Sequence, residues 1–289
     1  MKRFFSRLRR RHVLTRLLLA LLAVAVLLPV VVTLLYSFFS PTEIKAFMDT
    51  RGSFAAGALM QVKLRPDMFS LSQYYQILIT DTSILRYFVN SALYAGAILL
   101  GQALLIPAMA YALSRFRFPG RDAIFFLIIM LMLLPFQVTM VPNVLTLRRL
   151  GLLGTVWSVI LPMTVAPFFI FLLRQYMISL PADMFEAAQI DGAGPVRCFF
   201  HVALPVSRPM LGCAVALSFA DCWNLVEQPL TYLSGSTQLY PLSVVFNQLT
   251  QKSTGVEFAG AALYTLPALF VYLFFQSDIL EGVQLTELK

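Results

Sequence analysis

Residues 17–32 read LLLALLAVAVLLPVVV, an apolar run with no charged or amide side chain. A bilayer-spanning helix needs roughly 20 apolar residues, so this run, extended to residues 17–39, is long enough to cross a membrane. The whole chain has the same character, because 59% of its 289 residues are hydrophobic and only 12% are charged. Further apolar runs stand at about 88–113, 123–142, 155–173, 210–233 and 258–276. The predicted fold class is therefore all-α, a polytopic membrane protein with about six transmembrane helices.

Prolines inside the later runs predict irregular helices. Proline lacks a backbone donor and its ring clashes with the preceding turn, so it kinks or breaks a helix. The prolines at which we expect kinks are Pro107, Pro135, Pro162, Pro167, Pro229 and Pro267.

The distribution of basic residues predicts the orientation of the chain. Seven of the 22 Lys and Arg residues precede the first apolar run, with no acid among them. Since basic segments are retained on the cytoplasmic side, we expect the N-terminus, and with six spans the C-terminus, to be cytoplasmic. Arg148 and Arg149 would then be external, on an amphipathic segment predicted over residues 144–152 along the membrane surface.

These assignments divide the chain into membrane-spanning helices and parts on either side of the membrane. Two of them are longer than a simple turn requires, an external loop and a cytoplasmic loop before the fifth run. The predicted parts are a basic cytoplasmic tail at 1–16, the first transmembrane helix at 17–39, the external loop at 40–87, a core of five helices at 88–276 with its cytoplasmic loop at 174–209, and a cytoplasmic tail at 277–289.

Few features of the sequence favour an enzyme. His12 and His201 lie far apart, and an odd count of three cysteines without a C-x-x-C pair predicts neither a disulfide framework nor a thiolate metal site. A phosphate-binding loop requires Gly immediately before its Lys, and no lysine here follows a glycine. We therefore expect no metal, cofactor or ATP site of that kind on this chain, and any use of ATP needs a partner.

The cytoplasmic loop predicts two short helices. Residues 179–209 read SLPADMFEAAQIDGAGPVRCFFHVALPVSRP. Ser179 is placed to cap a first helix, and Gly192 stands where that helix should stop. Pro195 suits the first turn of a second helix, which Pro205 is expected to end.

The first of these helices has the composition of a docking surface. Ala187 and Ala188 are small enough for another protein to approach the backbone closely, while Glu186 and Asp191 supply charges at the rim. This predicts docking of a soluble partner, and the alternative is a surface hairpin without one.

The same residues carry a family resemblance. The pattern Glu186-Ala187-Ala188, three residues, Gly192, nine residues and a V-A-L-P sequence at 202–205 resembles the EAA loop of bacterial binding-protein-dependent ABC importers. The family has Ile at the position of Val202. Other matches resemble the maltose-type carbohydrate permease branch, in particular its G-type subunit. They are Asn90-Ser91, the sequence AYALSR at 110–115, FPGR at 118–121, Trp223-Asn224 and Leu266-Pro267.

The resemblance implies a type I ABC importer permease fold in a bacterial inner membrane. It implies half of a heterodimeric pore for a sugar, oligosaccharide or polyol, and a coupling role for Glu186, Ala187, Ala188, Asp191 and Gly192. The implied partners are a second permease subunit, two ATP-binding subunits that hold ATP and magnesium, an extracytoplasmic solute-binding protein and membrane lipid, but no nucleic acid.

Polar residues in the fifth run are candidates for a substrate path. On a continuous helix Asp221, Asn224 and Gln228 would share one face, with Glu227 beside it. A charge near the bilayer centre costs about 2.5 to 3.5 kcal/mol, so these groups should face protein or a water-filled cavity. They can bind sugar hydroxyls, with Trp223 stacked on a pyranose ring, or they can hold helices together.

The same acids define the alternative function. A self-sufficient secondary transporter would use Asp221 or Glu227 to relay protons across the membrane. Such a transporter would need no ATP-hydrolysing partner.

Overall fold

The structure, a computed structural model, describes residues 2–51, 65–80, 82–251 and 256–287, and all regular structure in these ranges is helical. The chain divides into two compact units, residues 1–84 with 246–265 and residues 85–245 with 266–289. Part of the predicted external loop, at 52–64, and the side chains of 1–14 in the basic tail lie outside the described residues.

The helices are numbered along the chain. Short π-helical turns follow α3 and α10, and a 3₁₀ turn at Thr237–Leu239 precedes α14. The helices are α1 (Lys2–Tyr36), α2 (Pro41–Arg51), α3 (Ser72–Tyr75), α4 (Thr82–Arg115), α5 (Arg121–Leu133), α6 (Phe136–Arg149), α7 (Trp157–Thr164), α8 (Pro167–Ser179), α9 (Ala182–Ile190), α10 (Pro195–Cys198), α11 (Leu204–Val206), α12 (Arg208–Trp223), α13 (Glu227–Tyr232), α14 (Leu242–Gln251) and α15 (Glu257–Glu287).

Six segments account for the six predicted spans. Within the described residues, four segments are long and apolar enough to cross a membrane. Two bent helix pairs, α5 with α6 and α10–α11 with α12, are also apolar enough. If each pair is one span, the total is six. The prediction of an all-α protein with about six spans is confirmed. The four long segments are Thr15–Tyr36, Ser83–Arg115, Trp157–Ser179 and Glu257–Gly282.

The third span is broken near Pro135, where the sequence predicts a kink. α5 ends at Leu133, and α6 leaves it at an angle of 110°. Pro135 lacks the N–H that would continue the helix, and Leu134 before it is extended, with φ −77° and ψ 123°. The helix that carries Arg148 and Arg149 therefore begins at Phe136, and the predicted segment 144–152 covers only its second half and the following turn.

In the first unit, a buried glutamine binds the predicted external loop to the end of α1. Gln73 is fully buried, and its Nε2 donates to the carbonyl oxygens of Tyr36 at 2.8 Å and Phe39 at 2.7 Å. Its Oε1 accepts from the backbone N–H of Ala259 at 3.3 Å. The carbonyls at a helix end have no partner further along the helix; that of Tyr36 accepts from the N–H of Phe39 at 3.1 Å, and Gln73 gives it a second donor while it also gives one to the carbonyl of Phe39.

The core of the second unit lies where α4, α8 and α12 pack. Three side chains of α8, Ile170, Leu173 and Met177, are fully buried there. Ala110 of α4 and Met210 of α12 belong to the same apolar cluster. This packing places the C-terminal end of α4 beside the loop that follows α8.

A polar network spans the middle of the second unit. The fourth span is broken between α7 and α8, and Pro167, at the start of α8, has no N–H to give the carbonyl of Met163. Gln102 of α4 supplies that donor, because its Nε2 lies 2.8 Å from the Met163 oxygen. Its Oε1 accepts from the hydroxyl of Ser218 in α12. One side chain therefore joins α4, α12 and the break in the fourth span.

Candidate functional site

The predicted cytoplasmic loop forms a helical hairpin, residues 181–206, that begins with α9. Pro181 stands at the N-cap of α9 and provides no side-chain hydrogen bond. The prediction that Ser179 caps this helix is wrong, since its hydroxyl donates back to the carbonyl of Tyr176 at 2.7 Å. Ser179 therefore ends α8, and an extended Leu180 leads into the hairpin.

The end of α9 is fixed by a glycine turn, as predicted. Gly192 has φ +82°, a left-handed conformation that costs a side-chain-bearing residue energy. The N–H of Gly192 donates to the carbonyl of Gln189 at 3.0 Å, and the N–H of Ala193 donates to that of Ala188 at 2.9 Å. This pair of bonds is a Schellman motif, so the direction in which the chain leaves α9 is defined by backbone bonds.

α9 has one buried side chain, and most of its surface is open. Phe185 is 6% exposed, whereas Glu186 and Ala187 are exposed and Ala188 is partly so. Ile190, at the far end of the helix, is 86% exposed. Of the residues predicted to couple to a partner, Glu186, Ala187 and Ala188 lie on this helix, which packs on its own chain through Phe185, and Asp191 and Gly192 lie in the turn that follows it.

The second half of the hairpin runs further than predicted. Pro195 starts α10, and a wider π-helical turn follows, in which the N–H of Leu204 donates to the carbonyl of Phe199. Pro205, the predicted end of the second helix, lies inside α11. Helix continues to Val206, and the chain then bends by 73° into α12.

The outer surface of the hairpin combines apolar and acidic groups. Val196 and Phe200 are more than half exposed, as is Ile190. Three acids, Asp183, Glu186 and Asp191, and one base, Arg197, are also exposed. Such a surface suits a partner that offers an apolar groove with basic groups near it.

The polar candidates of the fifth span do not share one helix face. α12 ends at Trp223, and Asn224 caps it, with its Nδ2 donating to the carbonyl of Ala220 at 2.9 Å. A new helix, α13, begins only at Glu227. The predicted alignment of Asp221, Asn224 and Gln228 on a continuous helix is therefore wrong.

Most of these groups are nevertheless accessible. Asp221, Asn224 and Glu227 are exposed and Gln228 is partly buried. Glu227 is paired with Gln137 of α6, whose Nε2 lies 3.2 Å from Oε1 and 3.3 Å from Oε2. Sequence reasoning missed Gln137, because nothing local to it indicates a partner 90 residues away.

Trp223 does not offer a face to a sugar in this structure. It is 2% exposed. Phe219 stacks on it at 5.5 Å between ring centroids, and Phe88 meets it edge-on at 5.5 Å. The three rings line one side of an apolar cavity of about 370 Å³. Here Trp223 packs α12 against α4.

Comparisons with known proteins agree with this architecture. The family described as "Binding-protein-dependent transport system inner membrane component" matches residues 103–277. The diacetylchitobiose uptake system permease protein NgcG of Streptomyces coelicolor is 32% identical over 285 residues, 95% of this chain and 88% of that protein. The arabinooligosaccharides transport system permease protein AraQ of Halalkalibacterium halodurans is 28% identical over 227 residues, 78% of this chain and 81% of that protein.

A solved structure has the same fold. It is the crystal structure of a bacterial ABC transporter involved in the import of the acidic polysaccharide alginate. The TM-score is 0.76 at 24% identity, with 93% of this chain and 96% of that chain covered.

Proposed function

Because this chain belongs to the family of binding-protein-dependent transport system inner membrane components, we propose that its helical hairpin couples it to a separate ATP-hydrolysing subunit. The chain is a multi-pass inner-membrane permease subunit of an ABC importer, and it is not itself an enzyme. As a permease it works in a transport system with other subunits.

The exposed face of α9 carries the coupling proposal. Glu186, Ala187 and Asp191 are open to a partner, and small residues at the centre let a groove close around the backbone. The Schellman motif at Gly192 holds the two halves of the hairpin in a fixed relation. A rigid, outward-facing helix of this kind is suited to transmit a push from a partner that binds ATP and magnesium.

The complete importer that we propose has four further subunits. This chain forms half of the pore with a second permease subunit, two ATP-hydrolysing subunits bind on the cytoplasmic side, and an extracytoplasmic binding protein delivers the solute. Arg115, Arg117 and Arg121 between the second and third spans support a cytoplasmic position for that loop and for both termini.

The transported solute in this proposal is a sugar or oligosaccharide. Relatives named for diacetylchitobiose and for arabinooligosaccharides support that class. The exposed Asp221, Asn224 and Glu227, together with Gln137, supply carboxylate and amide groups that can bind sugar hydroxyls. Trp223 contributes by packing, since its ring is covered.

A charge reversal on α9 tests the coupling role. The complex is extracted gently from cell membranes, and the subunits that remain bound to this chain are identified. The Glu186→Arg chain should still be inserted in the membrane and paired with the second permease, but it should no longer retain the ATP-hydrolysing subunit. The matched control is Glu281→Arg, which reverses an exposed acid near the end of α15, outside the hairpin. Retention of the ATP-hydrolysing subunit by Glu186→Arg, at the level of Glu281→Arg, would remove the hairpin from the coupling mechanism.

A further inference from the structure

The C-terminal end of α4 reaches both halves of the helical hairpin. The hydroxyl of Tyr111 donates to the carbonyl of Pro195 at 3.2 Å, and its ring lies 5.2 Å from that of Phe199. One turn later, Cζ of Arg115 lies 3.8 Å from the centroid of the Phe185 ring. Residues four apart share a helix face, so a single face of α4 holds α9 and α10 together.

Arg115 also binds the end of α8. Its Nη2 donates to the carbonyl oxygens of Met177 at 2.7 Å and Leu180 at 3.1 Å. These carbonyls end α8 just before the hairpin begins, so one guanidinium joins the last turn of α4, the end of α8 and the ring of Phe185. Its Nε is buried and has no hydrogen-bond partner among the described residues.

Of the contacts that Arg115 makes, the contact with the ring of Phe185 is the one with α9. Phe185 is the only buried residue of that helix. A guanidinium over an aromatic face is attracted by the charge distribution of the ring, and the attraction depends on that ring being aromatic. A movement of α9 therefore reaches α4 through the pair Arg115 and Phe185.

α8 has a second attachment to α4 that does not involve the hairpin. Nε of Arg174 donates to the carbonyl of Leu113 at 3.2 Å, and its Cζ lies 3.6 Å from the ring centroid of Phe125 in α5. Removing the Arg115 guanidinium thus leaves α8 joined to α4 and leaves Tyr111 bound to the second half of the hairpin, and it removes the contact between α4 and the Phe185 ring of α9.

We propose that Arg115 is a positioning residue that makes α9 and α4 move as one body. When a partner displaces α9 through its exposed face, α4, the second span, then moves with it, and the hairpin does not tilt alone. The proposal rests on the coupling function proposed above, and it adds the route by which the push enters the transmembrane helices.

Spin-label distances on the intact complex test this route without knowledge of the solute. One label is placed at Leu104→Cys in α4, where the native side chain is 76% exposed, and the other at Gln189→Cys, which is exposed on α9. Distances are measured in the nucleotide-free complex and after trapping with magnesium, ATP and vanadate. The native cysteines are buried, which protects them from labelling: Cys198, Cys213 and Cys222.

The two labels should keep a narrow, unchanged distance in the otherwise native chain. In Arg115→Gln the distance should shift by about 2 Å or broaden on trapping, the scale of helix shifts in allosteric proteins. Phe185→Leu, which keeps an apolar side chain without the ring, should behave like Arg115→Gln, and Phe185→Tyr should behave like the native chain. Arg117→Gln, an exposed arginine two residues further on, is the matched control.

Two results would overturn the proposal and one would locate the failure elsewhere. Native distances in Arg115→Gln or in Phe185→Leu would show that the pair does not join α9 to α4. Loss of the ATP-hydrolysing subunit from Arg115→Gln would also contradict it, since the outer face of α9 should remain intact. Absence of that subunit from the native complex would instead refute the coupling function itself.

Discussion

The backbone N–H of Ala193 donates to the carbonyl of Ala188, 2.9 Å away, and closes the turn at the end of α9. Gly192 lies between them with φ +82°. We expect Gly192→Ala to destabilise this turn by about 1 to 2 kcal/mol, because a Cβ opposes the left-handed conformation. Gly192→Pro should be worse, since it also removes the N–H donated to Gln189. The measurement is co-purification of the ATP-hydrolysing subunit, which should fall in that order.

A neighbouring glycine provides the control for this prediction. Gly194 has φ −69°, and a Cβ added to it meets nothing within 4 Å. Gly194→Ala should therefore bind the partner as the native chain does. Equal binding by Gly192→Ala and Gly194→Ala would mean that the turn geometry does not matter for coupling.

The polar network at Gln102 should contribute to stability. Gln102→Leu leaves the carbonyl of Met163 without this donor and the hydroxyl of Ser218 with only the sulfur of Cys222, 3.8 Å away, at a cost of about 1 to 3 kcal/mol. Thermal unfolding of the purified complex in detergent should show a lower midpoint. Gln276→Leu, which alters an exposed glutamine, should not lower it. A midpoint for Gln102→Leu equal to that of Gln276→Leu would show that the network is energetically neutral.

Substitution of Trp223 separates packing from solute contact. Trp223→Ala should destabilise the protein by about 3 kcal/mol or more, because it removes a buried ring held between Phe88 and Phe219. Trp223→Phe retains an aromatic ring and should keep both the unfolding midpoint and the KM for uptake near native values. A stable Trp223→Phe variant with a strongly raised KM would assign Trp223 to the solute path instead.

The acids of the fifth span provide a test against proton coupling. With the solute identified from the associated binding protein, Asp221→Asn should still support uptake, since ATP supplies the energy. Uptake should also persist when an uncoupler collapses the proton gradient while ATP is maintained. Collapse of uptake under the uncoupler, together with a severe defect in Asp221→Asn, would favour the secondary transporter.

Local patterns predicted the parts of this protein that local forces determine. Each of the six apolar runs overlaps a span, because the length of an apolar helix is set by the bilayer it crosses. The stop at Gly192 was equally predictable, since glycine is favoured in the left-handed position after a helix.

The breaks within spans were harder to predict because proline acts differently in different surroundings. Pro107 and Pro267 stay inside the long helices α4 and α15, whereas Pro135 and Pro167 stand at breaks. Whether a proline is accommodated depends on which neighbour supplies the missing hydrogen bond, as Gln102 does near Pro167. Contacts of that kind join residues far apart in sequence and leave no local pattern.

In the candidate site, too, helix geometry sets some features and contacts between distant residues set others. The outer face of α9 could be described from spacing alone, because helix geometry fixes it. The end of the fifth span could not, since α12 stops at Trp223 and the pairing of Glu227 with Gln137 depends on the fold of α6.

The most direct test of the account is to identify what remains bound to this chain after gentle extraction from its native membrane. A tagged chain should carry with it a second permease chain and a phosphate-loop ATPase, both identified by mass spectrometry, and Glu186→Arg should lose only the ATPase. Recovery of the chain alone, stable and competent for uptake after reconstitution, would contradict the importer assembly. It would favour a secondary transporter that relays protons through Asp221 or Glu227.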